Sequence, residues 1–323
     1  MGTGFGSQSM VDPLRTVLVG RPTEAFAVDD PEKWGYPGRP DLAGAQEEHD
    51  SFIGILRRAG VEVLYHDEIP QGRADAIFVH DPAIIADDGA IILRMGKALR
   101  RGEEEAMARR LEALGVPLLT ALHGEARAEG GDLVWLDHET LAVGQGFRTN
   151  AEGLRQLTQA LQGLGVTTVA VPLPYHRGPE ACLHLMSFVS LVAEDLAVVY
   201  PPLMPVPFRQ YLKEARIRFV EVPDEEFETM GPNVLAISPD HCLMLEGNPI
   251  TKRRLEEAGC RVSTYRGNEI SLKGGGGPTC LTRPILRECL STKRQHRNAS
   301  APRSSRTRGG RLSPLARQIS PVP

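Results

Sequence analysis

No stretch of this 323-residue chain is apolar over the roughly 20 residues that a membrane helix needs, and the segment Met1–Ser9 has no apolar core of the signal-peptide kind. These absences speak against a spanning segment or a secretory leader and make the cytoplasm the expected compartment. Cysteine is scarce: five residues, an odd number with no CxxC pair, which argues against a disulfide scaffold and a structural zinc site. Cys182, Cys242, Cys260 and Cys289 lie in or beside apolar segments and read as inert packing residues. The nine histidines are scattered, with no HExxH pattern, so nothing in the motif content requires a metal or another cofactor. Acid is missing from Ser291 to Pro323, where Lys293, Arg294, Arg297, Arg303, Arg306, Arg308, Arg311 and Arg317 stand among Ser, Pro and Gly. Such a segment cannot bury enough apolar surface to offset its ordering entropy, so residues 291–323 are expected to be a disordered basic tail. The remaining body is acidic, which argues against a nucleic-acid surface.

What is present concentrates in three places. Gly274, Gly275, Gly276, Gly277 and Pro278 lead into Cys280, and such a run brings backbone close to a ligand, a context suited to a nucleophile. It is equally the composition of an ordinary loop, and it lacks the Gly-Lys-Ser/Thr ending of a phosphate-binding loop. Glu129, Gly130, Gly131 and Asp132 set two carboxylates around a Gly-Gly turn at the mouth of a strand hairpin, where a cation could be held. His184 opens the apolar run Phe188–Val192. A histidine there is often a satisfied core residue, but a cysteine and a histidine far apart in sequence are also the usual form of a thiol nucleophile with its proton-transfer partner.

The chain also repeats itself. An apolar strand, an acidic turn, a second strand, a charged helix and a short strand recur at roughly 50-residue spacing, from Phe78, Leu133, Ser187 and Asn233, with a less complete first unit over Val17–Val63. No linker divides these units, so one domain of about five ββαβ-like units is expected. Asp81 at the end of the strand 77–79, Glu129 with Asp132, His184 and Cys280 each fall at an equivalent strand end. Units arranged around an axis would bring them into one pocket, whereas a solenoid would scatter them.

The segments Phe78–Pro82, Glu129–Asp132, Gly146–Asn150, Leu183–Leu185 and Gly275–Cys280, with Thr282 and Pro284, resemble the guanidine-modifying enzymes of the pentein superfamily. These include arginine deiminases, amidinotransferases and dimethylarginine dimethylaminohydrolases, the last with the amidinotransferases being the nearest likeness. The resemblance covers about Val17–Leu286. It implies an α/β fold, the five-bladed propeller of ββαβ units around a pseudo-fivefold axis. The implied organisation is a leader over 1–15, a single catalytic domain over 16–290 and the tail. It further implies attack by Cys280 as thiolate on a substrate guanidinium, with proton transfer by His184 through a covalent thiouronium. Asp81 and Glu129 would fork onto the guanidinium N–H groups, Glu129 also touching the imidazole, and Asp132 is taken with them as substrate-binding. Arg148, with one of Arg100 or Arg101, would hold the substrate carboxylate, although Arg100 and Arg101 also read as the solvated start of a charged helix.

Met186 stands where deiminases and amidinotransferases carry an aspartate two residues after the histidine. A thioether tolerates N-methyl groups but cannot pair with N–H donors, which favours a dimethylargininase acting on a small arginine-like guanidine. An amidinotransferase or an arginine deiminase on the same residues stays open, as does a homodimer. A noncatalytic binding protein is the alternative of another class, and the joint presence of Cys280, His184, Glu129 and Asp81 argues against it.

Overall fold

The repeated strand, turn, strand, helix, strand pattern folds as five three-stranded sheets with helices between their strands. The structure, a computed structural model, describes residues 4–68, 70 and 72–289. The tail expected over 291–323 lies outside the described residues. The described residues up to Glu288 pack as one unit.

The strands are β1 (Leu14–Val19), β2 (Glu62–Tyr65), β3 (Ala83–Ala86), β4 (Gly89–Ile92), β5 (Leu118–Ala121), β6 (Leu133–Asp137), β7 (Thr140–Gln145), β8 (Thr167–Pro172), β9 (Val189–Ala193), β10 (Leu196–Val199), β11 (Arg218–Glu221), β12 (Leu235–Ser238), β13 (His241–Leu245), β14 (Arg261–Tyr265) and β15 (Arg283–Arg287). In each sheet the middle strand pairs antiparallel with one neighbour, in four of the sheets through a tight turn, and parallel with the other. Parallel pairing needs a crossover, and the helices Glu103–Ala113, Ala151–Gln162, Val206–Glu214 and Pro249–Glu257 supply it in four sheets. The remaining sheet explains why the first unit looked incomplete. Its order is β15, β1, β2, so its hairpin partner comes from the far end of the described chain, pairing Leu14 with Arg287 and Val17 with Pro284.

The helix Leu42–Arg58 illustrates how a unit is packed. Asp41 caps it, accepting from Gly44 N at 2.6 Å, and its buried stripe Ala45, His49, Phe52, Ile53 and Leu56 recurs at helical spacing. Phe52 meets Tyr265 of β14 edge to face at 4.9 Å between ring centres. Each fully buried side chain of this size contributes about 1.5–3 kcal/mol. The middle strands are buried on both faces, as in β1, where Val17, Leu18 and Val19 are all inaccessible, whereas β2, β5, β8, β11 and β14 are partly exposed.

One expected strand is absent. Asp81 was expected to end a strand at 77–79, but Ala74–Ile77 is a 3-10 turn and β3 begins only at Ala83. Pro82 has no N–H to offer a ladder, and it leaves Phe78–Asp81 as a loop whose backbone is tied to the cysteine loop by His80 N–H donating to Cys280 O at 3.2 Å.

Candidate active site

The site is assembled from the loops just upstream of the first strands of the sheets. His184 caps the 3-10 turn Leu185–Ser187 ahead of β9, its N–H held by Ser187 Oγ at 3.0 Å. Glu129 precedes the 3-10 turn Gly130–Asp132 ahead of β6. The two meet at 2.8 Å between His184 Nε2 and Glu129 Oε2. Gly131 makes the approach feasible, because a Cβ there would stand 2.3 Å from His184 Nδ1. Glu129 is inaccessible to solvent. Its Oε1 accepts from Gly96 N and Lys97 N, both at 2.9 Å, and its Oε2 also faces Arg148 at 3.5 Å. Burial alone would raise this carboxyl, but the bond and charge of His184 and the charge of Arg148 outweigh it and hold it at about 2.

Burial likewise opposes the charge on His184. The neighbouring Cys182, Asp81 and Asp132 outweigh it, and the imidazolium persists well above its usual range. Cys182 Sγ lies 3.6 Å from His184 Nδ1, so both ring nitrogens have partners. Asp81 accepts from Gly131 N at 2.8 Å with one oxygen and from Arg100 with the other, and Arg100 in turn is bidentate to Glu103 and donates to Phe78 O. Across from this charged wall, Cys280 sits partly exposed in the turn before β15. Burial and the nearby Asp81 charge push its thiol up to about 11, with His184 and a backbone bond from Gly277 pulling the other way. Asn233 Nδ2 donates to the sulfur at 3.7 Å.

A cavity of about 520 Å³ collects these groups. Asp81, Arg100, Arg148, His184, Asn233 and Cys280 all line it. Its outer wall includes Trp34, Tyr36 and Lys97, whose ammonium is fixed by Asp75 and by Trp34 O at 2.8 Å. Among the described residues, Asp81, Glu129 and His184 bring three polar atoms within 4.8 Å of one another, and the chain's own cations His184, Arg100 and Arg148 already neutralise the two carboxylates there.

Residues 33–287 match the family described as N,N dimethylarginine dimethylhydrolase, eukaryotic. The chain belongs to this family. It is a family of hydrolases acting on C–N bonds within the pentein superfamily. The N(G),N(G)-dimethylarginine dimethylaminohydrolase of Streptomyces coelicolor is 29% identical over 250 residues, covering 76% of this chain and 88% of that protein. An arginine deiminase of Mycobacterium avium is 26% identical over 401 residues, covering 88% and 99%. In fold, an amidinotransferase of saxitoxin biosynthesis from Microseira wollei superposes with a TM-score of 0.72 at 18% identity, covering 89% of this chain and 99% of that one.

Within this chain the expected site residues divide. His184, Asp81, Arg148, Arg100 and Cys280 reach the cavity, whereas Glu129, Asp132 and Arg101 do not line it. Glu129 cannot fork onto a ligand, since both of its oxygens are taken by His184, Arg148 and two backbone N–H groups. Asp132 is fully buried, accepting from Thr149 Oγ1 at 2.6 Å and Leu185 N at 3.0 Å. It frames the His184 turn, and burial raises it to about 6. Arg101 turns toward Glu104 at 3.8 Å, and Arg100 is committed to carboxylates of the chain itself. Met186 is also displaced from the expected picture. It is 2% exposed among Val11, Leu185 and Phe188 and does not reach the cavity, so its thioether faces no substrate nitrogen. Cys182, read as inert packing, is exposed on the cavity wall against His184. Asn233 and Lys97 were missed. The repeat held the signal for Asn233, which opens the unit from which no site residue had been drawn.

Proposed function

We propose that the chain is a cysteine-dependent hydrolase that cleaves a C–N bond of a substituted guanidine such as dimethylarginine, releasing an alkylamine and a citrulline-type urea. The observation that carries this reading is the single cavity lined by Cys280, His184 and Asp81, with His184 held from behind by the buried Glu129. The Cys280 thiolate attacks the central guanidinium carbon, forming an S–C bond. His184, protonated, donates to the departing amine as the C–N bond breaks and leaves a thiouronium on sulfur. The neutral imidazole then takes a proton from water, whose oxygen adds to the same carbon. The C–S bond breaks as the hydroxyl proton leaves to the released amine through solvent, giving the urea and an alkylammonium, and the thiolate returns with His184 again protonated. Asp81 is the carboxylate for the cationic end of the ligand. Arg148 and Lys97 are the cations on the wall for its carboxylate end.

The same reading takes residues 16–290 as one catalytic domain whose five sheets are blades around a pseudo-fivefold axis. A small guanidine is the partner, and the cytoplasm is the compartment. An arginine deiminase is the second reading, favoured by the relative of that name that covers most of this chain.

The test is product formation from asymmetric dimethylarginine, arginine, and arginine plus glycine, by wild type and by Cys280→Ser. Equal amounts of dimethylamine and citrulline from the first substrate are expected, falling at least about a thousandfold in the variant. Citrulline and ammonia from arginine alone would move the assignment to a deiminase. A guanidino product formed only with glycine would move it to a transferase.

A further inference from the structure

Five sheets need five approach loops, and four of them carry groups already assigned. Asp81 stands just upstream of β3, Glu129 of β6, His184 of β9 and Cys280 of β15. In the remaining sheet the same place, just upstream of β12, holds Asn233. We propose that Asn233 is a further catalytic residue, the donor that holds Cys280 as a thiolate aimed into the cavity. The proposal rests on the reading of Cys280 as the nucleophile.

The orientation of the amide is decided by its other end. Asn233 Oδ1 accepts from the backbone N–H of Thr279 at 3.1 Å and from Thr279 Oγ1 at 2.8 Å. A backbone N–H can only donate, so the oxygen must face Thr279 and the NH2 group must face the sulfur. That places an N–H donor 3.7 Å from Cys280 Sγ. Such a bond to an ionised acceptor is worth about twice a neutral one, so it favours the thiolate over the thiol. Asn233 is only 5% exposed and lines the cavity, so bulk water does not substitute for it. The glycine run is shaped around it. A Cβ on Gly277 would stand 2.4 Å from Asn233 Oδ1, so the backbone of the cysteine loop packs directly on the amide. The need for a donor is real, because burial and Asp81 work against ionisation of this thiol.

The experiment is alkylation of the full chain by iodoacetamide across pH, following the Cys280 peptide by mass spectrometry. The thiolate displaces iodide and forms an S–C bond, so the rate reports ionisation and needs no guanidine substrate. Failure of this proposal is therefore separable from failure of the proposed hydrolysis. Asn233→Asp keeps both Thr279 bonds and replaces the donor with an oxygen, and Asn233→Ala removes the amide and provides the reading if the first variant folds poorly. The pH midpoint of alkylation is expected to rise by about one unit in Asn233→Ala and further in Asn233→Asp, where a carboxylate faces the sulfur. A midpoint that stays at the wild-type value while turnover falls would overturn the proposal and leave Asn233 as a structural brace of the loop.

Discussion

The two walls of the cavity are built by different physics. The wall carrying His184 is held by charge. Glu129, Asp81, Arg100, Arg148 and Glu103 are buried and paired among themselves, and Glu129, Asp81 and Arg100 each have partners on more than one element. The wall carrying Cys280 is held by neutral contacts. Glycine backbone lies against Phe78 and Asn233, and the Thr279, Thr282 and Asn233 hydrogen bonds fix the turn. The charged wall sets protonation states, because an isolated buried charge is costly and a paired one is locked. The neutral wall sets position, and the one ionisation it acts on is that of Cys280 itself, through the Asn233 donor.

Breaking the charged wall should have the largest effect on stability. In Glu129→Gln a single oxygen must replace two that serve His184, Arg148, Gly96 N and Lys97 N, and Arg148 loses its buried counter-charge. The Glu129 carboxyl lies at about 2 in the folded chain against about 4.3 for an unperturbed glutamate. A depressed carboxyl adds stability above the unfolded value and loses it as pH falls through the folded one. The variant is thus expected to be about 3 kcal/mol less stable near neutral pH, with the gap closing below about pH 4. Urea unfolding at both pH values checks it, and a gap that does not depend on pH would mean that the ion pairs are not its source.

Breaking the neutral wall should cost less stability while moving position. Gly277→Ala adds one methyl that meets the Asn233 side chain at 2.4 Å. The loop or the amide must shift, at an expected cost of about 1–3 kcal/mol in unfolding free energy. Because the thiol is carried by the same turn, kcat/KM is expected to fall more than this destabilisation explains at a temperature where the variant is fully folded. Loss of activity only in proportion to the folded fraction would show that the turn absorbs the methyl without moving the sulfur.

The contrast also explains what was legible in sequence. Asp81, Glu129, His184 and Cys280 could be read because they stand at equivalent places of the repeat and within the segments that carry the family resemblance. The repeat itself was legible because its helices and hairpins have different hydrophobic periods. The contact of Glu129 with the imidazole was legible too, but the commitment of Glu129 and Asp132 to donors of the chain itself was not, since a motif gives proximity but not which oxygen is already occupied. Met186 pointed to the branch that the family match supports, but its thioether packs in the core, because a residue two positions after His184 can point there as readily as into the cavity. Asn233 went unseen because neutral amides are common in turns, and only its contacts with Thr279 and Cys280 distinguish it. The partner of β1 was hidden for another reason, since pairing between residues 14 and 287 leaves no local trace.

The finest distinction between the walls lies at Cys182, a sulfur-bearing side chain on the charged side. Its sulfur is 3.6 Å from His184 Nδ1 and, with Asp81 and Asp132, counters burial in raising the imidazole. Cys182→Ala removes one of those supports and leaves the others, so the imidazole should titrate at a lower pH than in wild type. The step that needs imidazolium is then lost earlier as pH rises. The alkaline limb of kcat/KM is expected to move down by about half a unit, with unfolding free energy changed by less than about 0.5 kcal/mol. Titration of the limb in both proteins decides the matter. An unmoved limb would mean that Cys182 touches the ring without stabilising its charge, leaving the protonation of His184 to the buried carboxylates alone.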